Sequence, residues 1–432
     1  MNGKKMNSFI IKTFGCKTNQ TESAVMEEKL TENNFVQVHN IENADYLIVN
    51  SCAVTQEAER KLFSFLKSAR NKNPEIKIVV TGCFAQLNKD LKNPLIDKLV
   101  GIYEKPDISA ILKSDETHAV SDINSHKDFR YEKLKHLSRT RATIKIQDGC
   151  NNRCSYCTIC IARGISRSCK TEDITEQINT LAANGYNEVV LTGIHIGQWG
   201  LDFDKKKSIT DLFKEIEKTN IKTYRAGSLD PNEITDEMIE FLSKSDKFCP
   251  HFHLSLQSLC DKTLKNMNRH YNYEKIQTTV LKLRENFKNV FLGCDIIVGF
   301  PQETEEDFNE TFERLKELPL SQIHVFPYSV RPGTVAAKMN GQIKKEEKHR
   351  RMKLVKELSD KKHLEFLEKN IGEIYYITPE KKQDKKTGLY KAVTPNYIKV
   401  FFREKPKNNY CPVMLQSVCK DNHSAFGKLS EI

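Results

Sequence analysis

The sequence predicts an α/β protein in three parts: an N-terminal parallel-sheet domain, a central partial barrel of six strand–helix units, and a small C-terminal β-barrel. Three observations predict it. Short apolar strands alternate with amphipathic helices through the first third, the pattern of a parallel sheet. The alternation resumes at residue 143 and runs through six further units. Beyond Gly372 it gives way to short β-like runs punctuated by Gly388, Pro395 and Pro406. Domains are expected at residues 7–120, 136–369 and 371–432, in keeping with a chain of 432 residues.

In the first part, residues 8–14, 44–50 and 76–80 read as strands. Helices are expected over 21–30 and 56–70 and from about residue 87. Residues 101–139 read as a polar passage to the next domain. The loops after the three strands hold Cys16, Cys52 and Cys83. Loops beyond the carboxyl ends of parallel strands gather along one edge of the sheet, so these three thiols are expected close together. The competing reading is three small thiols buried under the sheet edge.

The second part opens on a denser signal. The run Thr143-Ile144-Lys145-Ile146 reads as a strand, and the loop after it holds Cys150, Cys154 and Cys157 in the spacing C-x3-C-x2-C. A closed structural zinc site takes four ligands, and a 4Fe–4S cluster takes one per iron. Three clustered thiols therefore point to a cluster with one iron left open. The competing reading is a zinc knuckle completed by Cys160 or Cys169. Further strands are expected at 188–193, 222–229, 251–257, 290–301 and 322–329. Active sites of parallel barrels lie at the carboxyl ends of their strands. His195, His253 and His324 fall near those ends, where hydrogen-bonded lining histidines are the commoner case. Asp148 and Asp295 are candidate contacts to a cofactor or substrate.

The string from Lys145 to Asn152, with Ala162-Arg163-Gly164 after it, resembles the radical S-adenosylmethionine (SAM) superfamily. So do Leu191 to Gly197, Ser255 to Ser258, Met267 to Tyr271, Asp295 to Pro301, Glu303 to Phe308, Phe326 to Ser329 and Arg331 to Thr334. The resemblance implies that the cluster's open iron binds SAM, and that an electron from the cluster releases a 5′-deoxyadenosyl radical. In the first part, Gly15 to Asn19, Asn50 to Thr55 and Thr81 to Gln86 resemble the N-terminal domain of the methylthiotransferases. That implies two 4Fe–4S clusters, an auxiliary one on Cys16, Cys52 and Cys83 and a radical one on Cys150, Cys154 and Cys157. No residue is singled out as catalytic.

Gly15-Cys16-Lys17, with Asn19 to Ser23, is most similar to the branch acting on N6-threonylcarbamoyladenosine at position 37 of tRNA. The resemblance thus implies methylthiolation of that base, with N6-isopentenyladenosine or a ribosomal-protein aspartate as alternative substrates. A cysteine–metal RNA-binding protein is the non-enzyme alternative. Four departures stand out: Cys160-Ile161 where the family has Pro-Tyr, Leu259-Cys260 for Gly-Ser, Cys169 for Arg, and Ser51 for Thr. Seven thiols, at Cys160, Cys169, Cys249, Cys260, Cys294, Cys411 and Cys419, read as ordinary small residues.

Thirteen cysteines without a short secreted framework indicate a reducing, cytoplasmic setting. No run is long and apolar enough for a membrane span. From Lys338 to Ile432 there are 22 Lys and Arg against 12 Asp and Glu, so +10 of the net +11 lies in the last quarter. That charge suits a polyanion such as RNA. A charged helix is expected over 344–369. The runs at 374–377, 390–393 and 397–402 suggest an oligonucleotide-binding type of barrel, in the place of the family's RNA-binding TRAM domain. Tyr390 and Tyr397 are candidates for stacking on bases. Expected partners are the tRNA anticodon loop and a flavodoxin-type electron donor, and the chain is expected to be a monomer.

Overall fold

The computed structural model describes residues 6–53, 55–134 and 140–430. Met1 to Lys5, Val54 of the second cysteine string, the expected domain start at 136, Arg139, and the last two residues lie outside the described residues.

The first sheet has six strands, all parallel, in the spatial order Val36–Gln37, Ser8–Thr13, Tyr46–Ser51, Lys77–Gly82, Lys98–Val100, His118–Ala119. Tyr46–Ser51 is buried at every position, as a central strand covered on both faces must be. One face packs Leu47, Val49, Ile78 and Val80 against Leu62 and Leu66 of the helix Gln56–Lys72. The other packs Phe9, Ile48 and Val79 against Met26 and Leu30 of the helix Lys17–Glu32.

Three expectations need correction here. The helix expected over 21–30 starts four residues earlier, at Lys17. Its first turns bury Thr18, Asn19, Thr21, Glu22 and Ser23, polar residues that no apolar period reveals. The helix expected from Leu87 instead runs Cys83–Leu87 and ends there. Residues 98–119 add two strands to the sheet, of three and two residues, too short to show alternation.

The barrel strands are Ala142–Lys145, Glu188–Thr192, the broken pair Thr223–Arg225 and Ser228–Leu229, His251–Gln257, Phe291–Val298 and Gln322–Pro327. They run parallel, in two hydrogen-bonded groups that part between Arg225 and Ser228. Ile144, Leu191, Tyr224, Leu254, Ile296 and Ile323 face the helical layer. Their sequence neighbours Thr143, Val190, Arg225, His253, Asp295 and His324 therefore face the lumen, because side chains alternate along a strand.

The first and last barrel strands do not pair, which leaves the barrel open on one side. The N-terminal domain reaches both rims of that opening. On one rim, Thr21 Oγ1 lies 2.8 Å from Thr143 Oγ1, and Thr18 Oγ1 donates to Gly193 O at 3.2 Å. On the other, Gln56 N donates to Ser329 Oγ at 3.3 Å, and Glu59 pairs with Arg331.

The helix Lys345–Lys369 lies across the last barrel strand, where Ser359 Oγ accepts from Ile323 N at 2.9 Å. After it comes a curled, mixed five-stranded sheet, a half-barrel in the order Ile374–Ile377, Cys411–Cys419, Ser424–Leu429, Lys399–Phe402, Tyr390–Val393. Its two C-terminal strands are not evident from the sequence: Pro412 and a register shift between Leu415 and Ser417 break their alternation. Among the described residues, no helix is long and apolar enough to cross a membrane.

Gly82 holds φ +95°, and a Cβ there would stand 2.4 Å from Ser51 O and 2.7 Å from Asn50 Oδ1. Gly82→Ala is expected to lower unfolding stability by about 2 kcal/mol or more, read from urea denaturation. An unchanged midpoint would contradict this packing.

Candidate functional site: two sets of three thiols

Thr13 pairs with Asn50, and Asn50 with Thr81. Three neighbouring strands thus end level, each about 4.8 Å from the next. Cys16, Cys52 and Cys83 follow those ends directly and share one edge of the sheet. Gly15, at φ +136°, brings the first loop against the second: a Cβ there would lie 3.1 Å from Cys52 Cβ. Asn50 Nδ2 donates to Asn19 O at 2.8 Å and to Ser23 Oγ at 3.0 Å, which ties the strand end to the first helix. Cys16 is exposed, Cys52 half-buried and Cys83 buried, none of them in a disulfide. A set that opens to solvent through Cys16 is not three packed core thiols.

The second set sits on the loop after Ala142–Lys145, and its neighbours hold it tightly. Gln147 is fully buried. Its Oε1 accepts from Ile194 N at 3.0 Å and His195 N at 2.8 Å, while its Nε2 donates to Gly149 O at 2.8 Å. One side chain thereby joins the thiol loop to the Gly193 loop. Gly149, at φ +72°, passes so close to Ile165 O that a Cβ would lie 1.9 Å away. From the far side, Ser155 N donates to Met267 O at 3.0 Å, and Asn268 Nδ2 donates to Arg153 O at 3.2 Å. Two thiols also meet nitrogen groups. Arg269 Nη1 donates to Cys154 Sγ at 3.2 Å, and His195 Nδ1 lies 3.4 Å from Cys150 Sγ. Polar groups set beside a ligating side chain in this way fix its orientation. Burial, and then the neighbouring Cys154 and Cys150, push the Cys157 thiol well up.

Arg163 stands between the two sets, wholly buried. Its Nη1 donates to Glu22 Oε1 at 2.7 Å and to Asp148 Oδ1 at 2.8 Å, and its Nη2 donates to Asn19 Oδ1 at 2.8 Å. Lys145 Nζ bridges the same carboxylates, 2.8 Å from Glu22 Oε1 and 2.6 Å from Asp148 Oδ2, and Lys105 also pairs with Glu22. Burial opposes charge here; at Glu22 and Arg163 the partners outweigh it, whereas at Lys105 burial prevails and pulls the ammonium below its ordinary value. Arg163, Lys105 and Lys145 hold Glu22 well below the usual carboxylate range. Asp148 and Glu22 hold Arg163 well above its own. The short helix Ile159–Arg163 also packs Ala162 beside Cys83 and Phe84.

The remaining candidates divide. Asp148 is spent on these pairs and on Gly149 N, at 2.9 Å. Asp295 Oδ1 lies 3.0 Å from His253 Nε2 in the lumen, with the His324 ring 5.3 Å from that of His253. Both histidines sit inside their strands rather than at the ends. His195 is at the mouth, its Nε2 2.5 Å from Glu233 Oε1. Cys169 is fully buried under the helical layer, and Cys160 Sγ points back at Cys157 O, 3.9 Å away. Burial, and then Cys150 and Cys154, push the Cys160 thiol up, so it stands beside the set, whereas Cys169 is packed in the hydrophobic core. Tyr390 stacks on Phe402, and Tyr397 packs on His251 at the barrel floor, with ring centroids 4.2 Å apart. Tyr390 is thus taken up in the sheet's own packing, while Tyr397 remains 38% exposed. The sequence does not single out Gln147, Glu22, Arg163 or Arg269 as site residues. Their signal lies in the motif strings themselves, as the polar positions beside the cysteines and glycines.

A parallel partial barrel with three free thiols on its first loop defines a radical SAM enzyme. Residues 144–315 match the radical SAM superfamily, and residues 8–101 match an uncharacterized protein family, UPF0004. The chain is 38% identical to the threonylcarbamoyladenosine tRNA methylthiotransferase MtaB of Thermotoga maritima, over 85% of each chain. It is 35% identical to the protein of that name from Bacillus subtilis, over 90% of this chain and 89% of that one. It is 34% identical to a tRNA-2-methylthio-N(6)-dimethylallyladenosine synthase of Clostridium botulinum, over 84% and 85%. The chain belongs to the radical SAM tRNA methylthiotransferase family. Its fold is shared with the radical SAM methyltransferase TsrM of Kitasatospora setae, at a TM-score of 0.58 and 11% identity over 77% of each chain.

Arg163→Met would leave Glu22 and Asp148 buried without their main partner. It is expected to cost about 3–5 kcal/mol of stability, measured by urea denaturation of the protein prepared anaerobically. A loss below about 1 kcal/mol would rule out this role for Arg163.

Proposed function

We propose that the chain methylthiolates N6-threonylcarbamoyladenosine at position 37 of tRNA, giving the 2-methylthio derivative. The observation that carries the reading is the pair of three-thiol sites joined through one buried guanidinium. A single radical SAM reaction, such as methylation, needs only the loop of Cys150, Cys154 and Cys157. A second set on Cys16, Cys52 and Cys83, held against the first, fits the delivery of sulfur as well. The substrate choice is supported by the names of the relatives at 35% and 38% identity and by the Gly15 to Ser23 string.

As a member of its family, the chain uses two 4Fe–4S clusters and SAM. We assign one cluster to Cys16, Cys52 and Cys83 and the other to Cys150, Cys154 and Cys157. The donor chemistry suits this: each set offers three cysteine thiols, one short of a cluster's four irons, which leaves one corner for a further ligand. Bound there, the clusters and SAM supply the radical chemistry that an unactivated aromatic C–H bond demands. The protein's own residues supply position. Gln147 and Met267 to Arg269 hold the thiol loop against the barrel mouth, and Arg269 and His195 set their nitrogens on its sulfurs. Gly193 lets its loop close onto Gln147, where a Cβ would stand 3.0 Å from Gln147 O, and its carbonyl accepts from Thr18. Helix Lys17–Glu32 is fixed to one rim of the open side through Thr18 and Thr21.

We assign the methylthiotransferase function to residues 7–120, the radical reaction to 136–369, and RNA binding to 371–432. In the last of these the basic residues would contact phosphate, giving affinity that falls steeply with salt. The target base must leave its loop to reach the thiol sites, which suits the single-stranded anticodon loop. The reading includes a flavodoxin-type electron donor and a monomeric chain.

Nucleosides from tRNA of cells lacking this chain, resolved by mass spectrometry, are expected to lack 2-methylthio-N6-threonylcarbamoyladenosine. Wild type should restore it, and Cys16→Ala should not. An unaltered level of that nucleoside would contradict the assignment and turn attention to the isopentenyladenosine product.

A further inference from the structure

A cavity of about 490 Å³ opens where the N-terminal helix, the barrel and the C-terminal sheet meet. Thr143, Val190 and Arg225 stand at one level of the barrel register and form its inner wall. The rest of the lining is polar and mainly cationic: Lys17, Arg141, Lys381 and Lys382 against one carboxylate, Glu380, with Gln20, Thr140 and the Tyr397 ring between them.

Two of the charges in the cavity are already answered. Arg225 pairs with Glu188 at 3.2 Å and donates to Pro395 O and Thr394 O, and Glu380 lies 3.5 Å from Lys391. Lys17, Arg141, Lys381 and Lys382 have no ion pair among the described residues. Arg141 goes further. Its Nη1 is buried and has no hydrogen-bond partner among the described residues. A guanidinium nitrogen removed from water and left unpaired is costly, and an anion in the cavity would satisfy it.

The place of the cavity matters as much as its charge. Cys16 caps the helix Lys17–Glu32 at the first thiol set. Lys17, the next residue, lines the cavity, and Thr18 donates to Gly193 O at the barrel mouth. Three consecutive residues thus touch the first thiol set, the cavity and the Gly193 loop. In adenine, C2 and N6 flank N1 on a single edge. A base with C2 toward Cys16 carries its N6 substituent alongside, within reach of the Lys17 side. The threonylcarbamoyl substituent ends in a carboxylate, whereas an isopentenyl group carries no charge.

We propose that this cavity receives the carboxylate of the N6 substituent, with Arg141 and Lys17 as its cationic contacts. The assignment rests on the substrate reading given above. A planar guanidinium suits a carboxylate because two N–H groups can meet its two oxygens. The competing source of the same negative charge is a backbone phosphate of the RNA.

Three anticodon stem-loop RNAs separate these sources. One carries N6-threonylcarbamoyladenosine at the target position, one the methyl ester of that carboxylate, and one plain adenosine. Fluorescence anisotropy at fixed salt gives the affinity of each. Wild type should bind the carboxylate RNA about tenfold more tightly than the ester, the size of a charge-assisted contact. In Arg141→Gln and in Lys17→Gln the ratio should fall toward one, with binding of the adenosine RNA changed by less than about twofold. Arg141→Lys should keep part of the ratio. Iron content shows whether each variant is intact, and Arg141→Lys carries the comparison if Arg141→Gln is not. A ratio near one in wild type would overturn the proposal. So would equal weakening of all three RNAs, which would make the ligand a phosphate. Turnover by wild type tests the underlying reading separately. Activity on an isopentenyladenosine RNA but not on the threonylcarbamoyl one would remove the substrate assignment. Activity on the threonylcarbamoyl RNA without a carboxylate–ester ratio would remove only the cavity's role.

Discussion

Arg163 has to remain charged with no exposure to solvent, and the arrangement of both thiol sets follows from how that is done. Its guanidinium binds Asn19 and Glu22 of the first helix on one side and Asp148 of the thiol loop on the other. A buried pair of this kind contributes little net stability compared with apolar packing. It contributes geometry, because any shift of the helix against the loop would strand a buried charge. The helix carries Cys16 at its start, and the loop carries Cys150 two residues after Asp148. The two sets are therefore fixed relative to one another by the cost of breaking the charge network, with Lys145 and Lys105 completing it.

The motif strings resolve into separate physical tasks once these contacts are known. In the string around Cys150, Gln147 couples two loops, Asp148 anchors Arg163, and Gly149 permits a backbone approach that no side chain would allow. Met267 to Arg269 contact the thiol loop from the opposite wall. Asn19 and Ser23 hold Asn50 at the end of the second strand. The Pro395-Asn396-Tyr397 turn of the C-terminal sheet plugs the barrel floor. Arg225 donates to Pro395 O and to Thr394 O just before the turn, and Asn396 Nδ2 reaches Asn289 O at 3.0 Å. Its tyrosine suggests a nucleic-acid surface from the sequence alone, and the structure gives the turn a task in joining domains.

Much of the fold is legible in the residues because its strands announce themselves. Tyr46–Ser51 and Phe291–Val298 are apolar and bounded by turns, and every barrel strand falls within a few residues of its expected place. The cysteines stand out because packing alone does not set one thiol after each of three neighbouring strands. What stays hidden are elements whose burial is polar or whose length is small. The first turns of Lys17–Glu32 are buried by hydrogen bonds and ion pairs rather than by apolar packing, so periodicity shows only the later half. Lys98–Val100 and His118–Ala119 are strands at the sheet margin with too few residues for a pattern. Arg163 and Glu22 lie 141 positions apart, and a single sequence carries no sign that they meet. His253 and Asp295 show the reverse case, two residues notable separately that the lumen brings together as a pair.

The central claim is that two independent sets of three thiols each hold a 4Fe–4S cluster. Iron and acid-labile sulfide per chain, after anaerobic reconstitution, test it most directly. The comparison needs wild type, the triple variant Cys16→Ala, Cys52→Ala, Cys83→Ala, and the triple variant Cys150→Ala, Cys154→Ala, Cys157→Ala. The account predicts about eight irons in wild type and about four in each triple variant, one cluster remaining in each case. About four irons in wild type, or a triple variant that keeps all of its iron, would contradict it.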